Sequence, residues 1–142
     1  MKKYTLFETG EIDTWKNSSV EIPERDVVFP GKRFLKDALN LTSCEISLNS
    51  LKPGEGMPFC HSHIRNEEVY VFLKGEGEFQ VDDDLFTVRA GSTLRVSPEG
   101  ERAWRNTGED DLVFLVVQAE NNSLQQYTAE DANIPERKLK WA

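Results

Sequence analysis

From residue 26 onward the chain breaks into short stretches where apolar and β-branched residues alternate with polar ones or run together. These stretches cover 26–29, 43–51, 68–73, 78–81, 85–88, 93–96 and 112–119. Period-two patterning over a few residues predicts strands with at least one buried face. The breaks between them are Pro53-Gly54-Glu55-Gly56, Gly75-Glu76-Gly77, Asp82-Asp83-Asp84, Ala90-Gly91, Pro98-Glu99-Gly100 and Thr107-Gly108. All are rich in residues that accept turn geometry. Helical periodicity is weaker. Apolar residues at 34, 35, 38, 39 and 41 allow a short helical turn within 33–41, and the stretch from Ser123 is ambiguous. Residues 1–25 are polar with isolated aromatics at Tyr4, Phe7 and Trp15, which predicts an N-terminal arm packing onto the body. The body then runs from 26 to 122, and 123–142 forms a tail packing on it. Many short strands broken by Gly and Pro predict an all-β barrel or jelly roll rather than βαβ units.

Composition narrows the function classes. A chain of 142 residues fits one domain, and eight Phe and three Trp supply core material. The formal net charge of -8 opposes phosphate backbones and anionic lipid, so no nucleic acid and no membrane is expected as partner. Met1-Lys2-Lys3 is followed by Thr5, Glu8 and Glu11 rather than by an apolar run, which predicts a cytoplasmic protein. Cys44 and Cys60 then read as two reduced thiols. No phosphate-cradling Gly loop suggests a nucleotide cofactor, and no nucleophile stands beside a poised base. Asp82-Asp83-Asp84 and Glu109-Asp110-Asp111 read as solvated turns.

The chemistry concentrates in His61-Ser62-His63-Ile64-Arg65-Asn66-Glu67-Glu68. In extended backbone His61 and His63 point to one side, so two imidazoles can converge on one point. Glu68 opens the next strand and can bring a carboxylate opposite them. Two His and one carboxylate form a face suited to a first-row divalent metal.

At these residues the chain resembles the cupin superfamily. That family's first motif reads Gly, five residues, His-x-His, three or four residues, Glu, six residues, Gly. Four residues separate His63 from Glu68, and six separate Glu68 from Gly75. The front end departs by one residue, with six residues between Gly54 and His61 and four between Gly56 and His61. Glu67 would fit the shorter spacing after His63, but only Glu68 keeps six residues before Gly75. The second motif reads Gly, five residues, Pro-x-Gly, two residues, His, three residues, Asn. It matches the stretch from Gly91 through Pro98 and Gly100 to Asn106, with the Pro one residue late. Counted from Gly91 or from Asn106, the family's His falls on Arg102.

The resemblance implies a double-stranded β-helix, the cupin jelly-roll barrel, with irregular arms outside. It implies His61, His63 and Glu68 as metal ligands, with Fe, Zn, Ni or Mn all compatible, and leaves the fourth ligand replaced by Arg102. Two outcomes stay open. Arg102 pairs with Glu68 in place of the ion and leaves a metal-free ligand-binding or sensing module, or the metal is held and Arg102 anchors an anionic molecule beside it. Tyr70 and Trp104 share the parity of Glu68 and Arg102 and are candidate ligand contacts, with core packing as the competing role. Arg95 has three open roles: the pocket, a subunit contact or solvent. Cys60 has the parity opposite to His61 and points away. The family spans oxygenases, isomerases, decarboxylases, storage proteins and sensing domains, so the reaction stays open. An enzymatic member with this site would be of the metal-dependent oxygenase or isomerase type. The arms, carrying Trp15 and Trp141, could cover sheet edges between chains, which predicts a homodimer.

Overall fold

The structure is a computed structural model that describes residues 2–142. Its strands are β1 (Ser19–Ile22), β2 (Val27–Pro30), β3 (Lys32–Phe34), β4 (Cys44–Leu51), β5 (Asn66–Lys74), β6 (Glu76–Val81), β7 (Asp84–Arg89), β8 (Thr93–Val96), β9 (Arg102–Asn106) and β10 (Leu112–Glu120). Two four-residue helices, α1 (Lys36–Leu39) and α2 (Thr128–Asp131), complete it with two 3₁₀ turns near the N-terminus. A five-stranded sheet runs β3-β4-β10-β5-β8, a three-stranded sheet runs β7-β6-β9, and β1 pairs with β2 alone. All pairings of named strands are antiparallel. The architecture is an antiparallel β-sandwich, all-β as the strand pattern predicts, with its strands in separate sheets rather than one closed barrel.

Every stretch read as a strand from sequence lies within or overlaps a real one. β1 and β3 carry too few apolar residues to stand out; they form because partners are available. Within 33–41 the expected short helical turn is α1, while residues 33 and 34 belong to β3, which pairs Lys32, Arg33 and Phe34 with Asn49, Leu48 and Ser47. α1 stops at Asn40, whose left-handed backbone (φ 56°) ends the turn. The division drawn at residue 26 falls inside the β1–β2 hairpin.

Two apolar clusters follow from strand parity. Tyr70, Phe72, Phe79, Val88, Val96, Trp104, Leu112, Phe114 and Val116 fill the space between the sheets. On the outer face of the five-stranded sheet, Leu48 and Val113 pack with Trp15 and Leu35. The N-terminal arm thus closes the outer face, as its lone buried tryptophan suggests. The C-terminal tail contributes no residue to either cluster. Every residue from 122 to 142 is exposed, Leu124, Tyr127, Ile134, Leu139 and Trp141 included. The packing expected of this tail is not seen. No helix is long and apolar enough to cross a membrane among the described residues.

Candidate functional site

β4 determines the character of the site. Its sequence alternates Glu45, Ser47, Asn49 and Leu51 with Ile46, Leu48 and Ser50. A strand over solvent would turn the polar set outward. Here Trp15 and Leu35 cover the apolar set, so Glu45, Ser47, Asn49 and Leu51 line a cavity of about 560 Å³ that opens to solvent. Phe114, Val116 and Gln118 of β10, and Glu68 and Tyr70 of β5, continue the same face. Met57, Phe59, His61 and His63 enter from the β4–β5 loop, and Ile22, Val27 and Phe29 from the β1–β2 hairpin.

The loop holding the two histidines is pinned by backbone bonds. His61 and Arg102 exchange N–H to carbonyl bonds of 3.0 and 2.9 Å, and the His63 N–H donates to the Pro98 carbonyl at 2.8 Å. Extended geometry across residues 61–63 follows, and the rings meet edge to face with centroids 5.3 Å apart. His63 Nε2 lies 3.2 Å and His61 Nε2 3.8 Å from Glu68 Oε1. One donor atom from each of the three residues lies within 4.8 Å of the others.

Glu68 is the electrostatic centre. It is 6% exposed, and burial alone would raise its carboxyl. Contacts from His61, His63 and the Tyr70 hydroxyl, with the charge of His63, outweigh that and hold it well below the ordinary carboxylate range. The Tyr70 hydroxyl donates to Oε1 at 2.7 Å. Burial, and then the neighbouring carboxylate charge, push the Tyr70 hydroxyl upward, so it stays a donor. Arg102 Nε lies 3.7 Å from the same oxygen. Oε1 is therefore approached from four sides.

The cluster suits a divalent ion. His63 Nε2 faces Glu68 Oε1 at 3.2 Å without forming a hydrogen bond, and His61 presents Nε2 to the same oxygen while its Nδ1 is buried without a partner; an imidazole nitrogen left so is either strained or reserved for a ligand. Two imidazoles and a carboxylate match the donor preferences of first-row metals.

The sequence-derived residues separate into two groups. His61, His63, Glu68, Tyr70 and Trp104 border the cavity. Trp104 also stacks on Phe79 (5.6 Å) and meets Tyr70 edge-on (5.3 Å), so core packing and cavity lining coincide in it. Arg102 does not border the cavity. It has no exposed surface, and its guanidinium donates to the carbonyls of Ser97 (3.0 Å) and His61 (3.5 Å) from behind Glu68. Arg95 lies on the outer face, bonded to Glu67, Ser97 and Asn121, which also removes Glu67 from the ligand set. Cys60 is exposed and Cys44 half-buried, both free. Asp82 adopts a left-handed turn conformation (φ 51°) between β6 and β7.

Lys32 escapes sequence reading. Its amine reaches the cavity and donates to Asn49 Oδ1 at 2.8 Å and to Ser47 Oγ at 3.4 Å. Burial lowers it to about 8, against the opposing pull of the Glu68 and Glu45 charges. The available signal was the polar stripe of β4, which is legible as cavity-facing only once the arm is known to cover Ile46 and Leu48.

Comparison with known proteins agrees with this architecture. Residues 47–118 match the cupin domain family. An uncharacterised protein of Methanocaldococcus jannaschii is 32% identical over 76 residues, 54% of this chain and 57% of that relative, so the match spans little more than half the relative's length. The crystal structure of a cupin protein from Bacteroides fragilis is 32% identical, with a TM-score of 0.78 over 95% of this chain and 99% of that one. A protein with a double-stranded β-helix domain from Klebsiella pneumoniae shares the fold at 15% identity, with a TM-score of 0.61 over 83% of this chain and 94% of that one. The chain belongs to the cupin family.

Proposed function

We propose that the chain binds a small anionic molecule in its cavity, beside a divalent metal held by His61, His63 and Glu68. The observation that carries this reading is the convergence of three donor side chains, two of them with buried nitrogens that form no hydrogen bond, on the wall of a cavity of about 560 Å³. That volume lies in the range of small-molecule sites, roughly 300–1,000 Å³. The charge count supports an anion. Arg102 already balances Glu68, so a bound divalent ion leaves the site net positive. Such an ion would supply a Lewis-acid centre that polarises an oxygen of the bound molecule. Fe, Zn, Ni and Mn remain the candidates, and no reaction is assigned.

Metal analysis after supplementation, with thermal shift against each ion, tests the proposal. Stoichiometric metal in the wild type that is lost in His63→Ala and His61→Ala is the expected result. A native-state ligand must also raise the melting temperature. Wild type without metal and without any shift would overturn it.

A second reading rests on the Arg102 to Glu68 distance of 3.7 Å. In it the pair serves in place of an ion, and the cavity is a metal-free sensing or carrier site. The same metal analysis separates the two. The exposed apolar residues of the tail support a homodimer, to be checked by sedimentation.

A further inference from the structure

Lys32 holds a positive charge in the cavity wall without a direct ion-pair partner, the Glu68 and Glu45 charges acting on it only from a distance. No carboxylate lies within 4 Å of its amine among the described residues. The two cavity acids are engaged elsewhere. Glu45 Oε1 accepts the backbone N–H groups of Lys36 (2.9 Å) and Ile46 (3.1 Å), and Glu68 is enclosed by Tyr70, the histidines and Arg102. The neutral partners of Lys32 are themselves locked. The Asn49 amide donates to the Ser47 carbonyl (3.1 Å) and to Ser47 Oγ (3.0 Å), which leaves Asn49 Oδ1 to face the amine. An ammonium has three N–H groups; two meet Asn49 and Ser47, and one is left over.

A charge without a direct partner in a part-desolvated cavity is costly unless something pairs with it. We infer that Lys32, positioned by Asn49 and Ser47, binds the carboxylate of the cavity's ligand. This deepens the reading above and rests on its cavity-binding part. Lys32 on β3 and Glu68 on β5 share one face and are separated by β4 and β10. Val116, Phe114 and Tyr70 lie between them or beside them. The ligand class is therefore a carboxylic acid with an apolar body and a second oxygen function directed at the histidines.

Matched probes test this: 4-hydroxybenzoate against 4-hydroxybenzamide, and 4-hydroxyphenylacetate against 4-hydroxyphenylacetamide, titrated calorimetrically into intact protein at pH 7. Each pair differs in charge and little in shape. Wild type should prefer at least one carboxylate by about tenfold or more, the worth of one charge-assisted hydrogen bond. Lys32→Met and Lys32→Gln should reduce that preference to within about twofold while metal content stays unchanged; the Gln variant retains a polar contact to Asn49 should the Met variant misfold. Absence of carboxylate preference in the wild type, including absence of any binding, overturns the inference, as does a preference that survives both substitutions. His63→Ala separates it from the metal reading. Loss of metal with the carboxylate preference intact leaves Lys32 standing, whereas intact metal without the preference removes Lys32 alone.

Discussion

Arg102 and Glu68 meet inside the protein, with Nε 3.7 Å from Oε1 and neither group appreciably exposed. The arginine stands where cupins place a histidine, yet it does not enter the space the histidine would share with His61 and His63. Its guanidinium is held back by the carbonyls of Ser97 and His61. The pair therefore acts as a support under the carboxylate and leaves the cavity face of the cluster to other ligands.

That placement makes Arg102 structural in its energetics. Truncating it to Leu leaves Glu68 buried without its counter-charge and takes the guanidinium donors from the Ser97 and His61 carbonyls, which keep their backbone donors from Gly100 and residue 102. Arg102→Leu should cost about 3–5 kcal/mol, read as a fall in the urea midpoint. A loss under about 1 kcal/mol, as for an exposed ion pair, would show that the guanidinium is solvated instead.

Tyr70 supports the same oxygen from another side. Tyr70→Phe keeps the ring against Phe79 and Trp104 and removes only the hydroxyl that donates at 2.7 Å. The expected destabilisation is about 1–2 kcal/mol. If Glu68 is a ligand, metal affinity should fall by about tenfold, the usual cost of losing a group that orients one. Paired denaturation and metal titrations check both; unchanged metal affinity would detach Tyr70 from the site.

How much of this was legible depends on the residue. His61, His63 and Glu68 announce themselves because a His-x-His spacing has one geometric meaning in extended chain, and the turn at Gly75 fixes the register behind it. β5, β6, β7 and β10 were legible through alternation and their turn residues. The face of β4 was not. Alternation alone does not tell which way Ser47 and Asn49 point until Trp15, distant in sequence, is seen covering Leu48. Lys32 was hidden for a related reason: β3 has only three residues and forms because β4 offers it an edge. The role of Arg102 was half legible, since the register count located it but could not tell that its guanidinium lies behind Glu68.

The turn that places Lys32 gives a backbone prediction. Gly31 has φ +68°, a left-handed conformation, and a Cβ there would lie 2.0 Å from the Ser50 carbonyl oxygen. Its N–H and C=O also tie Ser18 and Ser50 together, at 2.6 and 2.7 Å. Gly31→Ala should destabilise by about 2 kcal/mol or more, since a strained conformation and a backbone clash coincide. It should also displace the following lysine, so loss of carboxylate preference in any folded fraction would accompany the fall in melting temperature. Wild-type stability would contradict the assigned backbone.

The charge on Lys32 leaves a signature in the pH dependence of stability. Its amine is lowered from 10.5 to about 8 in the folded protein. Below pH 8 both folded and unfolded chains carry the proton, and the folded state bears the full cost of holding the charge. Between pH 8 and 10.5 the folded amine releases its proton while the unfolded one keeps it. The unfolded state then binds more protons, so stability rises with pH across this window. The cost removed is of order 3 kcal/mol. Other lysines and tyrosines titrate nearby, so the comparison is with Lys32→Met, which shares them all. The difference in unfolding free energy should be flat from pH 6 to about 8, with the variant at least as stable as wild type. It should then move in favour of wild type as pH approaches 10.5. Curves that stay parallel across this window would mean that the amine is solvated and its charge costs nothing.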